Sequence, residues 1–136
     1  MVMATIETIE GIGVKNATKL RKTRIRTTEA LLKAGATRKG RKALAAAIKV
    51  GDKLVLEWVN RADLMRVRGI GEEYSDLLES AGVDTVKALR RRNPASLLKK
   101  MIEVNEAKKA VRRLPTLSMV ERWVEHAKEL PDVVTY

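Results

Sequence analysis

The sequence predicts an all-α fold, and three observations carry that prediction. Apolar residues recur at helical spacing along most of the chain, and the runs open on capping residues. Nowhere do apolar and polar residues alternate strictly over the length of a strand. The chain also repeats itself: residues 9–33, IEGIGVKNATKLRKTRIRTTEALLK, align without a gap on residues 67–91, VRGIGEEYSDLLESAGVDTVKALRR, at an offset of 58. Identities fall at Gly11/Gly69, Ile12/Ile70, Gly13/Gly71, Leu20/Leu78, Thr27/Thr85, Ala30/Ala88 and Leu31/Leu89. Downstream, Trp58-Val59 recurs as Trp123-Val124 at an offset of 65, so the second copy holds about seven extra residues. Residues 1–61 and 62–136 are therefore two copies of one unit, expected to pack as one compact domain.

Each element follows from local chemistry. A short apolar segment, Ile6 and Ile9, leads into the Gly11-Ile12-Gly13 turn and a helix with Ala17 and Leu20 facing inward. Thr27 caps a short helix that ends before Gly35. Thr37 opens a helix through Ile48, with Leu44, Ala47 and Ile48 on one stripe and Arg38, Arg41 and Lys42 on the other. Asp52 caps the helix that carries Leu54 and Trp58. In the second copy Leu64 and Val67 lead into Gly69-Ile70-Gly71, followed by a helix with Ser75 and Leu78 and another starting at Asp84 or Thr85. Asn93-Pro94 is a cap followed by proline at the first helical position, and that helix buries Leu97, Leu98, Met101 and Ile102. The stretch from Val104 to Pro115 has no clear periodicity. Ser118-Met-Val-Glu121 reads as a capping box for a last helix with Val120, Trp123, Val124 and Ala127 inward.

Composition narrows the function. Twenty-eight Lys+Arg against 17 Asp+Glu give a net charge of +11, which points to polyanionic partners. No Cys and a single His exclude disulfide frameworks, zinc ribbons and thiol catalysis. No apolar run approaches the roughly 20 residues a membrane span needs. The opening MVMATIETIEG lacks the basic and apolar stretches of a secretory signal, so a cytoplasmic location is expected. Four aromatics (Trp58, Tyr74, Trp123, Tyr136) and no Phe are too few for a single-strand stacking platform as well as a core anchor. A nucleic acid would be held by its phosphate backbone.

The paired turns carry the chemistry. Glycine reaches tight backbone angles at little cost and lets another backbone come close. The helix that follows starts with unpaired N–H groups and a partial positive charge, the elements of a phosphate site. The two copies differ in charge. After the first turn come Lys15, Lys19 and Lys22 on one helical face, with Arg21, Arg24 and Arg26 beside them. After the second come Glu72, Glu73, Asp76 and Glu79, which repel phosphate and satisfy the helix dipole themselves. Residues 1–66 hold 15 Lys+Arg against 6 Asp+Glu, net +9, while the remainder holds 13 against 11, net +2. The second helix ends on Ala81-Gly82, a left-handed cap, where the first has Thr23-Arg24. Either Arg24 adopts that conformation, at roughly 1 kcal/mol, or the first turn exits differently.

These framed turns resemble the helix-hairpin-helix motif of DNA-repair, ligase and recombination proteins. The whole chain, with its ending PTLSMVERWVEHAKELPDVVTY, is similar to a family of small tandem helix-hairpin-helix proteins of unknown function. The resemblance implies paired motifs that grip duplex DNA through backbone phosphates without reading sequence.

The expected function is therefore non-enzymatic, sequence-nonspecific binding of duplex DNA, with a nucleoid-associated location. Gly11, Ile12, Gly13 and Val14 form the turn and present its amides, while Lys15, Lys19, Lys22, Arg24 and Arg26 neutralise neighbouring phosphates. Arg38, Lys39, Arg41 and Lys42 extend the footprint; a plain basic surface is the competing reading of each cluster. Arg90-Arg91-Arg92 is a similar cluster, and Lys99-Lys100, Lys108-Lys109 and Arg112-Arg113 are weaker ones. Structured RNA is not separable from duplex DNA on this ground. The alternative is a protein-interaction or self-assembly module in which Glu72, Glu73, Asp76 and Glu79 meet a basic surface, such as the first hairpin of another copy. No cofactor or metal site is expected, because first-turn acids answer the helix dipole. Trp58 and Trp123 read as core, and His126 as a surface or satisfied residue. Asp84 beyond the second turn could suggest a glycosylase, yet two repeats fill the chain and leave no base pocket.

Overall fold

The caps and glycine turns space the helices. The structure, a computed structural model, describes residues 4–9 and 11–136. Among those residues lie eight α-helices, a 3-10 turn at Ile6–Thr8 and one isolated bridge, Thr5 to Thr27, with no β-strand. The fold is all-α. Contacts divide the chain into two compact units: one runs up to Asp63 and includes Asp132–Tyr136, and the other is Leu64–Pro131.

In the first unit, α1 spans Gly13–Lys22, α2 Thr28–Ala34, α3 Arg38–Ile48 and α4 Asp52–Leu64, the last residue falling beyond the division. The Thr27 hydroxyl accepts from Ala30 N and the Thr37 hydroxyl from Gly40 N, each at 3.0 Å, satisfying an otherwise orphaned amide. Gly51 O accepts from Val55 N, so Gly51 holds the cap position of α4 and Asp52 sits in its first turn. Ile6, Ile9, Ile12, Leu20, Leu31, Val55 and Trp58 are buried almost completely. Fully burying side chains of this size contributes about 1.5–3 kcal/mol each before entropy. On α3 the buried residues are Arg41, Leu44, Ala45 and Ile48, whereas Ala47, placed by its sequence on the inner stripe, is exposed.

In the second unit, α5 spans Glu72–Ser80, α6 Val86–Arg90, α7 Pro94–Lys108 and α8 Leu117–Glu129. Leu64, Leu77, Leu78, Leu89, Leu97 and Met101 form its core with Val120 and Trp123. Thr85 caps α6 through Ala88 N, and Asn93 caps α7 through Ser96 N with Pro94 at the first position. The stretch without periodicity resolves into the end of α7 and a folded return. Lys109 adopts φ 51° and closes on Asn105 O, while the Asn105 amide exchanges two hydrogen bonds with the Val111 backbone. The expected capping box is displaced: Thr116, not Ser118, accepts from Met119 N and starts α8. Ser118 lies in the first turn, its hydroxyl accepting from Arg122 Nη2.

The duplication is legible in the element bounds. Helix α4 shifted by 65 positions gives α8, residue for residue, and α2 shifted by 58 starts where α6 starts. The extra residues lengthen α7 to 15 against 11 in α3, and lengthen the loop after it. The closing segment breaks the pattern. Asp132–Tyr136 follows the second repeat in sequence but belongs with the first unit, where Thr135 N donates to Ala36 O at 2.8 Å.

Candidate nucleic-acid interface

The first glycine turn is anchored from beneath by three isoleucines. Ile9 N donates to Ile6 O at 3.1 Å and Ile12 N to Ile9 O at 3.3 Å, so the backbone rises in steps to α1. The Ile12 side chain is part of the core, which leaves only its backbone for a ligand. Gly11 and Gly13 have φ of 89° and 74°, in the region that disfavours side chains. Among the described residues a Cβ placed on either would meet nothing within 4 Å, so these glycines serve the turn's geometry. Val14 is 85% exposed beside them. Among the described residues no side chain caps α1 and no carboxylate stands in its first turn.

The lysines face away from the core. Ala17 and Leu20 are the buried residues of α1, and Lys15, Lys19 and Lys22, spaced i, i+4 and i+7, lie on the opposite side of the helix. Lys15 and Lys22 are exposed and Lys19 is half-buried. Arg21 forms an ion pair with Glu7 instead. Arg24 and Arg26 are both exposed just beyond the helix. Arg24 adopts φ 68°, the counterpart of Gly82 at 91°, and both exits close with the same six-to-one bond. Those bonds run from Ile25 N to Leu20 O at 3.0 Å and from Val83 N to Leu78 O at 2.8 Å. The exit of α1 therefore keeps the geometry of the second copy's exit despite lacking its glycine.

The second turn repeats this ladder, with Val67 N to Leu64 O and Ile70 N to Val67 O both at 3.1 Å. Gly69 has φ 93°, but Gly71 is extended at −108°, so only one of its two glycines needs the left-handed region. Its front is partly occupied: a Cβ on Gly71 would meet nothing within 4 Å among the described residues, but Gly69 has a close neighbour. A Cβ on Gly69 would stand 3.0 Å from Trp123 Nε1, and Arg68 N donates to His126 Nδ1 at 3.0 Å. Residues of α8 thus stand against the start of the turn, and His126 is a satisfied residue. Tyr74 packs on Trp123 with ring centroids 5.1 Å apart and donates to Arg113 O. Glu72 and Glu73 are exposed in the first turn of α5. Asp76 is largely buried and paired with Lys108 at 3.2 Å, and Glu79 is half-buried.

The second basic cluster divides. Arg38, Lys39 and Lys42 are exposed on α3. Arg41, expected among the phosphate contacts, is 5% exposed and does structural work. Its Nη1 donates to Gly35 O at 2.9 Å and Ala36 O at 3.4 Å, its Nη2 donates to Thr135 O at 2.7 Å, and its guanidinium lies 5.5 Å from the Tyr136 ring centroid. A planar cation with five donors satisfies the carbonyls at the end of α2 as no lysine could. Its position, three and four residues before Leu44 and Ala45, was a sign of the inner stripe. The Thr135 and Tyr136 partners lay too far along the sequence to be read. Tyr136 and Lys53 line a cleft with Arg38 and Lys42, a grouping the sequence pattern does not show.

Among the described residues no group of three His, Asp or Glu could hold a metal ion, and no helix is long and apolar enough to cross a membrane. A family model described as a domain of unknown function, DUF4332, matches residues 10–130 of the chain. No curated protein and no solved structure matches it.

Proposed function

We propose that this chain, which belongs to the DUF4332 family, binds duplex DNA without sequence preference through backbone phosphates at its first glycine turn, in the manner of a helix-hairpin-helix motif. One observation carries the reading: of two turns with the same hydrogen-bond ladder, the first starts a helix with cationic side chains on its outer face and, among the described residues, nothing within 4 Å of a Cβ on either glycine, whereas the second has Trp123 against Gly69 and acids in the first turn of its helix. An anion there meets the amides at the start of α1, the positive end of its dipole, and the ammonium groups of Lys15, Lys19 and Lys22. Arg24, Arg26, Arg38, Lys39 and Lys42 extend the positive surface of the same unit. No catalytic step is part of this role, and a cytoplasmic, nucleoid-associated location follows from it.

The self-assembly reading draws less support, because Asp76 is already committed to Lys108. Titration of labelled duplex DNA at low salt tests the choice. Lys15→Glu/Lys19→Glu is expected to weaken binding strongly, and Glu72→Lys/Glu73→Lys to leave it unchanged or slightly tighter. Unchanged affinity in the first variant would remove the assigned site. Concentration-dependent light scattering that vanishes in the second variant, with no DNA binding in the parent, would favour assembly.

A further inference from the structure

A shallow cleft of about 290 Å³ opens in the first unit where two helices begin. Arg38 is the first residue of α3, and Asp52 and Lys53 are the first two of α4. Those residues line the cleft with Lys42 and Tyr136, and the buried Arg41 forms part of its floor. Four cations against one carboxylate, with two positive helix ends, make it a place for an anion.

The aromatic residue gives the site its second feature. Trp58 and Trp123 are buried and Tyr74 is half-buried, whereas Tyr136 is 64% exposed. Yet its ring is held on three sides. Its hydroxyl donates to Asn60 Oδ1 at 2.9 Å, the Arg41 guanidinium lies over one face, and the preceding residue is tied to Ala36 and Arg41 through its backbone. An exposed side chain fixed this way loses little further freedom when a planar group lands on it. One face meets a cation, and the residue, 64% exposed, lines the cleft, which offers an aromatic surface beside Arg38, Lys42 and Lys53.

We infer that Tyr136 and this cleft bind one unpaired nucleotide of a nucleic acid, the base stacked on the ring and its phosphate held by Arg38, Lys42 and Lys53. A lone exposed aromatic suits a single base and not a run of stacked bases. Combined with the first glycine turn, the site would favour a duplex with a single-stranded extension over a blunt one. That preference rests on the duplex-binding reading; the nucleotide site itself does not.

The experiment compares a labelled blunt duplex, the same duplex with a short thymidine extension, and the extension made abasic, under one salt condition. Stacking one base on an aromatic is worth roughly five- to 150-fold in affinity. The parent should prefer the thymidine extension by at least about fivefold and lose that preference with the abasic one. Tyr136→Ala should abolish the preference with blunt-duplex affinity intact, which also reports that the fold survives, and Tyr136→Phe should keep it. Equal affinity of the parent for blunt and extended duplexes, an undiminished preference in Tyr136→Ala, or equal binding of abasic and thymidine extensions would each overturn the inference. If the parent binds no blunt duplex, the hairpin reading fails and a free thymidine oligonucleotide decides for this site. Binding that Tyr136→Ala abolishes then supports it, and no binding overturns it.

Discussion

The two glycine turns began as copies, and their backbones still climb through the same hydrogen bonds from Ile6 to Ile12 and from Leu64 to Ile70. They differ in what stands before them. Gly69 has the Trp123 indole against it and a histidine on the amide beside it, while among the described residues nothing stands within 4 Å of a Cβ on Gly11, Gly13 or Gly71. Their following helices diverge in the same sense, toward lysine on α1 and toward glutamate on α5. One hydrogen-bond ladder thus carries two surroundings: the second turn has α8 side chains against its first glycine and acids after it, and the first is followed by cations. The hydrogen-bond ladder alone would not separate them, because it is shared; the backbones part only at the second glycine, left-handed at Gly13 and extended at Gly71.

Substitutions can break or sharpen this contrast. The largest effect is expected at the tryptophans. Trp123→Ala should destabilise the protein by about 3–5 kcal/mol, and Trp58→Ala by a similar amount, since both are buried. Only Trp123→Ala removes the cover from a turn, so it alone should raise hydrogen exchange at Arg68 and Gly69. Arg41→Ala should follow at about 2–4 kcal/mol in urea unfolding, because the Gly35 and Thr135 carbonyls lose the guanidinium while Ala36 O keeps Thr135 N, and the exposed Lys42→Ala should stay within about 0.5 kcal/mol.

The glycines come next. Gly11→Ala and Gly69→Ala both place a side chain at positive φ, at about 1–2 kcal/mol. Gly69→Ala should cost more than Gly11→Ala because its Cβ also presses on Trp123. The smallest effect is expected at the exits: Arg24→Gly should stabilise by up to about 1 kcal/mol, relieving a left-handed arginine, and Gly82→Ala should destabilise by a similar amount. A difference in sign between those two variants would show in thermal melts.

Much of this was legible before the structure, for physical reasons. Caps act over three residues, so Thr27, Thr85 and Asn93 announced their helices from local sequence, and the repeat offset fixed the partners of Trp58 and Trp123. Arg24 shows the same strength: its alignment with Gly82 flagged a left-handed residue before any angle was known. What escaped were contacts between residues far apart in the chain. Arg41 reads as a surface cation until Thr135, 94 residues on, supplies a carbonyl. His126 reads as a surface or satisfied residue, and the partner that satisfies it, the amide of Arg68 58 residues back, is what the sequence does not name. Ser118 outcompeted Thr116 on pattern because a capping-box motif says nothing of where the chain enters the helix.

The central claim is that the first turn and its lysines hold phosphates while the second turn does not. It is tested most directly by the salt dependence of duplex binding in the parent, in Lys15→Ala/Lys19→Ala/Lys22→Ala, and in Glu72→Ala/Glu73→Ala. Each lost phosphate contact should flatten the slope of log affinity against log salt by about 0.9. The lysine variant should therefore lose roughly two to three such steps, and the glutamate variant none. A slope identical in all three proteins would contradict the account.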